Sequence, residues 1–153
     1  MIRMARLTSL FLFLSLSLLG CTLRMEPPKN YLQLERAAWP YEYQAVSTED
    51  CRLAARTIEN PEKGGLDFWS KAIHNQMVQA KGYTLVSQSP VETRGGWKGH
   101  EFLFSTHSNG VEFDYLIALF PIGDKIYLAE AGGERHLLEP DLAGLRTAIT
   151  TLH

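Results

Sequence analysis

The chain has 153 residues, of which 45% are hydrophobic and 21% charged, with 15 basic and 17 acidic side chains for a formal net charge of −2. That length suits one domain of ordinary size with enough apolar residues to bury a core. Without a polybasic cluster, nucleic acid is not an expected partner, and two cysteines are too few for a disulfide-built scaffold.

The first twenty residues differ from the rest. Arg3 and Arg6 make a basic start, and Leu7–Leu19 is almost wholly apolar. This is the layout of a secretory signal, and the run, interrupted by Thr8, Ser9, Ser15 and Ser17, is too short for the ~20 apolar residues of a spanning helix. Leu18-Leu19-Gly20-Cys21 resembles the bacterial lipobox. The resemblance implies cleavage after residue 20, diacylglycerol on the sulfur of Cys21 and acylation of the new amino terminus. Several acyl chains on one residue form a durable anchor, whereas one chain binds only marginally. Thr22 rather than Asp follows the cysteine, so by the same resemblance the expected destination is the outer membrane of a Gram-negative envelope, with the domain facing the periplasm. The chain beyond the leader carries about −4, because two of its 15 basic residues are Arg3 and Arg6. A lipid on Cys21 would leave Cys51 as a lone thiol, read as a small, partly buried residue opening a strand.

The expected organisation is a signal peptide over residues 1–20, a lipidated tether over 21–30 and a single domain over 31–153. Pro27-Pro28 favours an extended spacer between anchor and domain. Tyr31–Pro40 reads as loop, with room for a short turn or strand. Tyr41–Val46 and Cys51–Ile58, joined by Ser47-Thr48-Glu49-Asp50, read as a hairpin. Asn60–Gly65 breaks the pattern. Leu66, Trp69, Ile73, Met77 and Ala80 then recur at helical spacing, predicting a helix over Leu66–Lys81 that ends at Gly82.

Tyr83–Gln88 reads as a strand and Pro90–Gly99 as a glycine-rich loop. Strands follow over His100–Thr106, Val111–Phe120 and Ile126–Ala131, the last ending at Gly132-Gly133. Asn109-Gly110 is a strong hairpin signal between the first two of these. Pro140 is placed to open a final helix whose Leu142, Leu145, Ile149 and Leu152 share one face. Successive tight hairpins require antiparallel pairing. The predicted fold is therefore α+β, an antiparallel meander covered by two amphipathic helices as an α/β/α sandwich.

This order of elements resembles the PsbP-like family of small α/β/α domains, in the first hairpin, the helix ending at Gly82-Tyr83, the Lys98–Gly132 meander and the Leu145–Leu152 helix. The resemblance implies a binding or accessory role, since members serve as assembly factors, adaptors and envelope lipoproteins without a shared catalytic site. It carries over no functional residue.

No catalytic motif stands out. His74, His100, His107, His136 and His153 show no His-Glu-x-x-His spacing and no cysteine pair has zinc spacing, so neither a metal nor another cofactor is expected. His100 and His107 are the one pair placed to meet at a strand end, without a third ligand. Gly-x-Ser-x-Gly is missing, and Gly95-Gly96-Trp97-Lys98-Gly99 enters a strand instead of opening a helix as a phosphate loop does. Glu101, Glu112, Asp114 and Glu130 lie on meander strands, where they serve either as solvent-facing polar positions or as a catalytic carboxylate set on one face. A candidate binding rim is assigned to Trp97, His100 and Glu130, the last followed by close-approach glycines. The expected function is thus a non-catalytic binding domain, held to the membrane by lipid and directed to another envelope protein or a small ligand. The alternatives are a small hydrolase-like enzyme using those carboxylates and a purely structural envelope lipoprotein.

Overall fold

The computed structural model describes residues 22–153; the leader and the lipid attachment expected at Cys21 lie outside the described residues. Seven antiparallel strands form one sheet: β1 (Tyr31–Gln33), β2 (Tyr43–Ser47), β3 (Arg52–Glu59), β4 (Thr84–Glu92), β5 (Lys98–Ser108), β6 (Val111–Ile122) and β7 (Lys125–Glu134). Their spatial order is β1-β2-β3-β7-β6-β5-β4. The N-terminal hairpin and the meander thus meet along β3 and β7, which pair from Arg52↔Gly132 to Glu59↔Lys125. In β6, Leu116–Phe120 are all buried, because alternate side chains enter two different cores. Leu116, Ala118 and Phe120 join one; Ile117 and Leu119 join the other.

Helix α1 (Leu66–Asn75) covers the second core with Leu66, Trp69 and Ile73. The first core is closed by the C-terminal helices α2 (Arg135–Leu138) and α3 (Leu142–Ile149), linked by one 3-10 turn over Glu139–Asp141. Leu138, Leu145, Ile149 and Leu152 are its buried contacts. The architecture is the expected α/β/α sandwich. Buried Asn60 pins the start of α1 to the β6–β7 turn: its amide donates to the Gly64 and Gly123 carbonyls, and its Oδ1 accepts from the Gly64 amide and the Trp69 ring.

Several local expectations change. Tyr31–Gln33 pairs with β2 as an edge strand. The helix over 66–81 is not continuous, since Gln76–Ala80 form a π-helical turn in which the Lys81 amide reaches Gln76. That wider turn shifts the phase of the stripe, so Met77 is buried, Val78 packs beside it and Ala80 is exposed. β4 runs through Pro90 to Glu92, a place open to proline because an edge strand needs no donor on its free side. β7 continues past Gly132-Gly133, and the last helical region begins at Arg135 rather than Pro140.

The expected spacer is not free either. Leu23 and Met25 are buried in the core beneath the C-terminal helices. Arg24 and His153 exchange backbone hydrogen bonds at 3.0 and 3.1 Å, and the Glu26 amide donates to Thr151 Oγ1 at 2.8 Å. Apolar residues at alternate positions explain this, because an extended segment with Leu23 and Met25 on one side buries more than it loses in freedom. Among the described residues, no helix is long and apolar enough to cross a membrane.

Candidate functional site

Helix α1 with its π turn spans about 22 Å and a twelve-residue strand about 40 Å, so the helical segment covers only part of its sheet face. Ile58, Leu119, Ile126 and Leu128 lie beneath it. The remaining part of that face holds an open basin of about 460 Å³, a size suited to a small ligand or a protruding side chain. Its walls include Tyr41, Tyr83, Thr106, Phe113 and Tyr115, and Glu130 lies on its floor.

Glu130 stands on β7 between Ala54 of β3 and Ile117 of β6. Its residue exposure is only 6%, and its Oε1 accepts from Arg56 Nη2 at 3.0 Å. A buried carboxylate is costly unless paired, and Arg56 supplies the opposite charge from β3. The guanidinium also lies over the Tyr41 ring, 5.7 Å from its centre. Glu130 Oε2 and Arg56 Nε are buried without a close hydrogen-bond partner, and the Tyr41 and Tyr115 hydroxyls interact with the Glu130 carboxylate. Burial, and then the Glu130 carboxylate, push the Tyr41 and Tyr115 phenols above their ordinary pKa, so both stay protonated donors. Burial disfavours charge on Arg56, but Glu130 outweighs it and raises its pKa.

Gly132 shapes the basin. A Cβ there would come within 2.8 Å of the Tyr115 ring, so the missing side chain lets that ring lie across β7. Gly133 makes similar room for Cys51, whose Sγ would be 2.6 Å from an added Cβ. Among the described residues Cys51 has no disulfide partner and is buried, and burial raises its thiol pKa, the opposite of activation.

The structure does not bring Trp97, His100 and Glu130 together. Trp97 stacks on Tyr127 at 4.5 Å and packs against the core under the C-terminal helices. His100 Nδ1 meets Ser70 Oγ of α1 at 2.7 Å, tying that helix to β5. Glu130 alone borders the basin. His100 and His107, seven positions apart on β5, point to opposite faces by strand alternation.

The four meander carboxylates do not all share one face. Glu101, Glu112 and Asp114 lie toward the C-terminal helices and Glu130 toward α1. Three of them are not solvent-facing: Glu101, Asp114 and Glu130 are 5–6% exposed. Each has an arginine partner. Arg146 Nε binds Glu101 at 2.6 Å, Arg135 binds both Asp114 and Glu112, and Arg56 binds Glu130. Arg56, Tyr41 and Tyr115 were not among the residues singled out in the sequence. The available signal was a charge at a core position, since Glu130 continues the buried Ile126, Leu128 alternation of β7.

No protein-family model and no curated protein sequence matches the chain. Its fold is similar to several solved structures. Cyanobacterial PsbP (CyanoP) from Synechocystis aligns at a TM-score of 0.59 with 10% identity, over 86% of this chain and 92% of that one. LpqN of Mycobacterium tuberculosis, described as involved in cell envelope biogenesis, aligns at 0.59 with 15% identity, over 85% and 82%. The Saccharomyces cerevisiae Ran-binding protein Mog1p aligns at 0.59 with 11% identity, over 89% and 92%. At these identities the likeness establishes a PsbP-like fold.

Proposed function

We propose that this protein is a lipid-anchored envelope protein whose domain binds a partner through the basin around Glu130, without catalysing a reaction. The carrying observation is the pairing of that buried carboxylate with Arg56 under protonated tyrosines. A carboxylate engaged by an arginine is built to recognise polar and aromatic groups rather than to move protons. The other meander carboxylates are engaged by arginines too, which weighs against the hydrolase alternative. Solved structures of this fold include a Ran-binding protein and a cell-envelope protein, which supports a binding role. The anchor rests on Leu18–Cys21 and the basic, apolar leader before it.

Two measurements test the reading. Metabolic labelling with a fatty-acid probe is expected to mark the wild type and not Cys21→Ser, which should also leave the membrane fraction; continued labelling of that variant sinks the anchor. Photo-crosslinkers placed at Tyr41 and Ser108 in the native envelope should capture a defined species that Thr106→Trp, which fills the basin, no longer captures. Capture unchanged by Thr106→Trp, or none from either position, argues against the basin as the binding site.

A further inference from the structure

We infer that the domain sits directly on the bilayer, with Leu32, Leu34 and Trp39 seated in the lipid interface; this rests on the lipid proposed at Cys21. The chain is held against the domain from residue 23, because Leu23 and Met25 are buried and Arg24 is bonded to His153. Only Thr22 separates that point from Cys21. Two Cα steps of ~3.8 Å place the lipid-bearing residue within about 8 Å of Leu23, so the membrane surface must reach the domain at this place.

The neighbouring surface suits that position. Thr22, Leu23 and Arg24 border the same depression as Leu34, Glu35 and Ala37. Leu34 and Ala37 belong to the strand and loop over residues 31–40, which carry Trp39 and Leu32, the two most exposed large apolar side chains of the described residues. Leu32 is 72% exposed, Leu34 36% and Trp39 93%. A single exposed leucine needs no account, but here three apolar side chains are exposed within eight residues, with Leu34 at the depression beside residues 22–24 and Leu32 and Trp39 within five residues of it along the segment. Tryptophan favours the membrane–water interface, where its ring is apolar and its N–H stays hydrated. Charges on the strip are mixed, with Arg24 and Arg36 against Glu26 and Glu35, so the apolar side chains carry the contact. The depth is limited: β1 is an edge strand, and its outer backbone groups must keep water or headgroup partners.

The test uses the full-length acylated protein in vesicles of phosphatidylethanolamine and phosphatidylglycerol, with and without a phospholipid brominated near the headgroup end of its chains. Brominated lipid should quench tryptophan emission, and Trp39→Phe should remove that quenching while the protein still floats with the vesicles. Trp69 and Trp97 supply the unquenched remainder. Flotation without quenching, or quenching unaltered by Trp39→Phe, overturns the seating and leaves the anchor standing. Failure to float overturns the anchor and the seating with it. A Trp39 shielded in detergent by a second copy, read as a dimer that Trp39→Phe dissolves, also overturns it in favour of self-association.

Discussion

Glu130 and Arg56 are 74 residues apart in sequence and 3.0 Å apart in space, and neither is comfortable alone. Removing a carboxylate from water costs several kcal/mol, which the facing guanidinium offsets only while both remain. Arg56→Met should therefore destabilise the fold by about 3 kcal/mol, less any relief from the 30% exposure that the Arg56 side chain keeps. The double variant Arg56→Met, Glu130→Leu should recover most of that loss, because it removes both charges together. Urea denaturation of these two variants and of Glu130→Leu checks this; a loss in the double variant equal to the sum of the two single losses would show that the pair is not coupled. At this scale the sequence was half legible. Glu130 and the glycines after it stood out, since a charge followed by Gly132-Gly133 signals a close approach, and Tyr115 and Cys51 make those approaches. Arg56 did not stand out, because only the β3–β7 pairing, which joins two distant hairpins, brings it there.

Among the elements, those with a strong local period were readable. The hairpin at Asn109-Gly110 forms with both residues at positive φ, the conformation that this dipeptide tolerates. The first hairpin, the meander strands and the start of α1 also follow from alternation or helical spacing. The π turn over Gln76–Ala80 did not, because a one-residue phase shift leaves Met77 on the stripe and removes only Ala80. The two registers predict different costs. Met77→Ala should lower stability by about 2–4 kcal/mol, whereas Ala80→Ser on the exposed side should stay within about 0.5 kcal/mol. Thermal unfolding of both variants distinguishes them, since a continuous α-helix would make Ala80→Ser costly. β1 was left open between loop, turn and strand, and the last residues of β4 were missed, because edge strands draw on pairing with a neighbour rather than on their own composition.

For the whole molecule, residues 23–26 and the last residues of the chain close one side of the sheet together. Residues 23–26 lie against the end of the chain at Thr151 and His153, so the segment before β1 belongs to the core rather than to a spacer. Met25→Ala should accordingly cost about 2–4 kcal/mol in urea denaturation, where a free tether would make the change silent. The sequence by itself determined the antiparallel meander and the two covering helices, because local periodicity needs no partner to be read; the proposed lipid address rests on residues 1–21 alone. Tertiary structure alone decided that the spacer is docked, that each meander carboxylate meets an arginine, and that a short α1 leaves the Glu130 basin open. Those outcomes depend on which distant segments share a face and how far each element reaches, and no stretch of sequence contains both sides of such a contact.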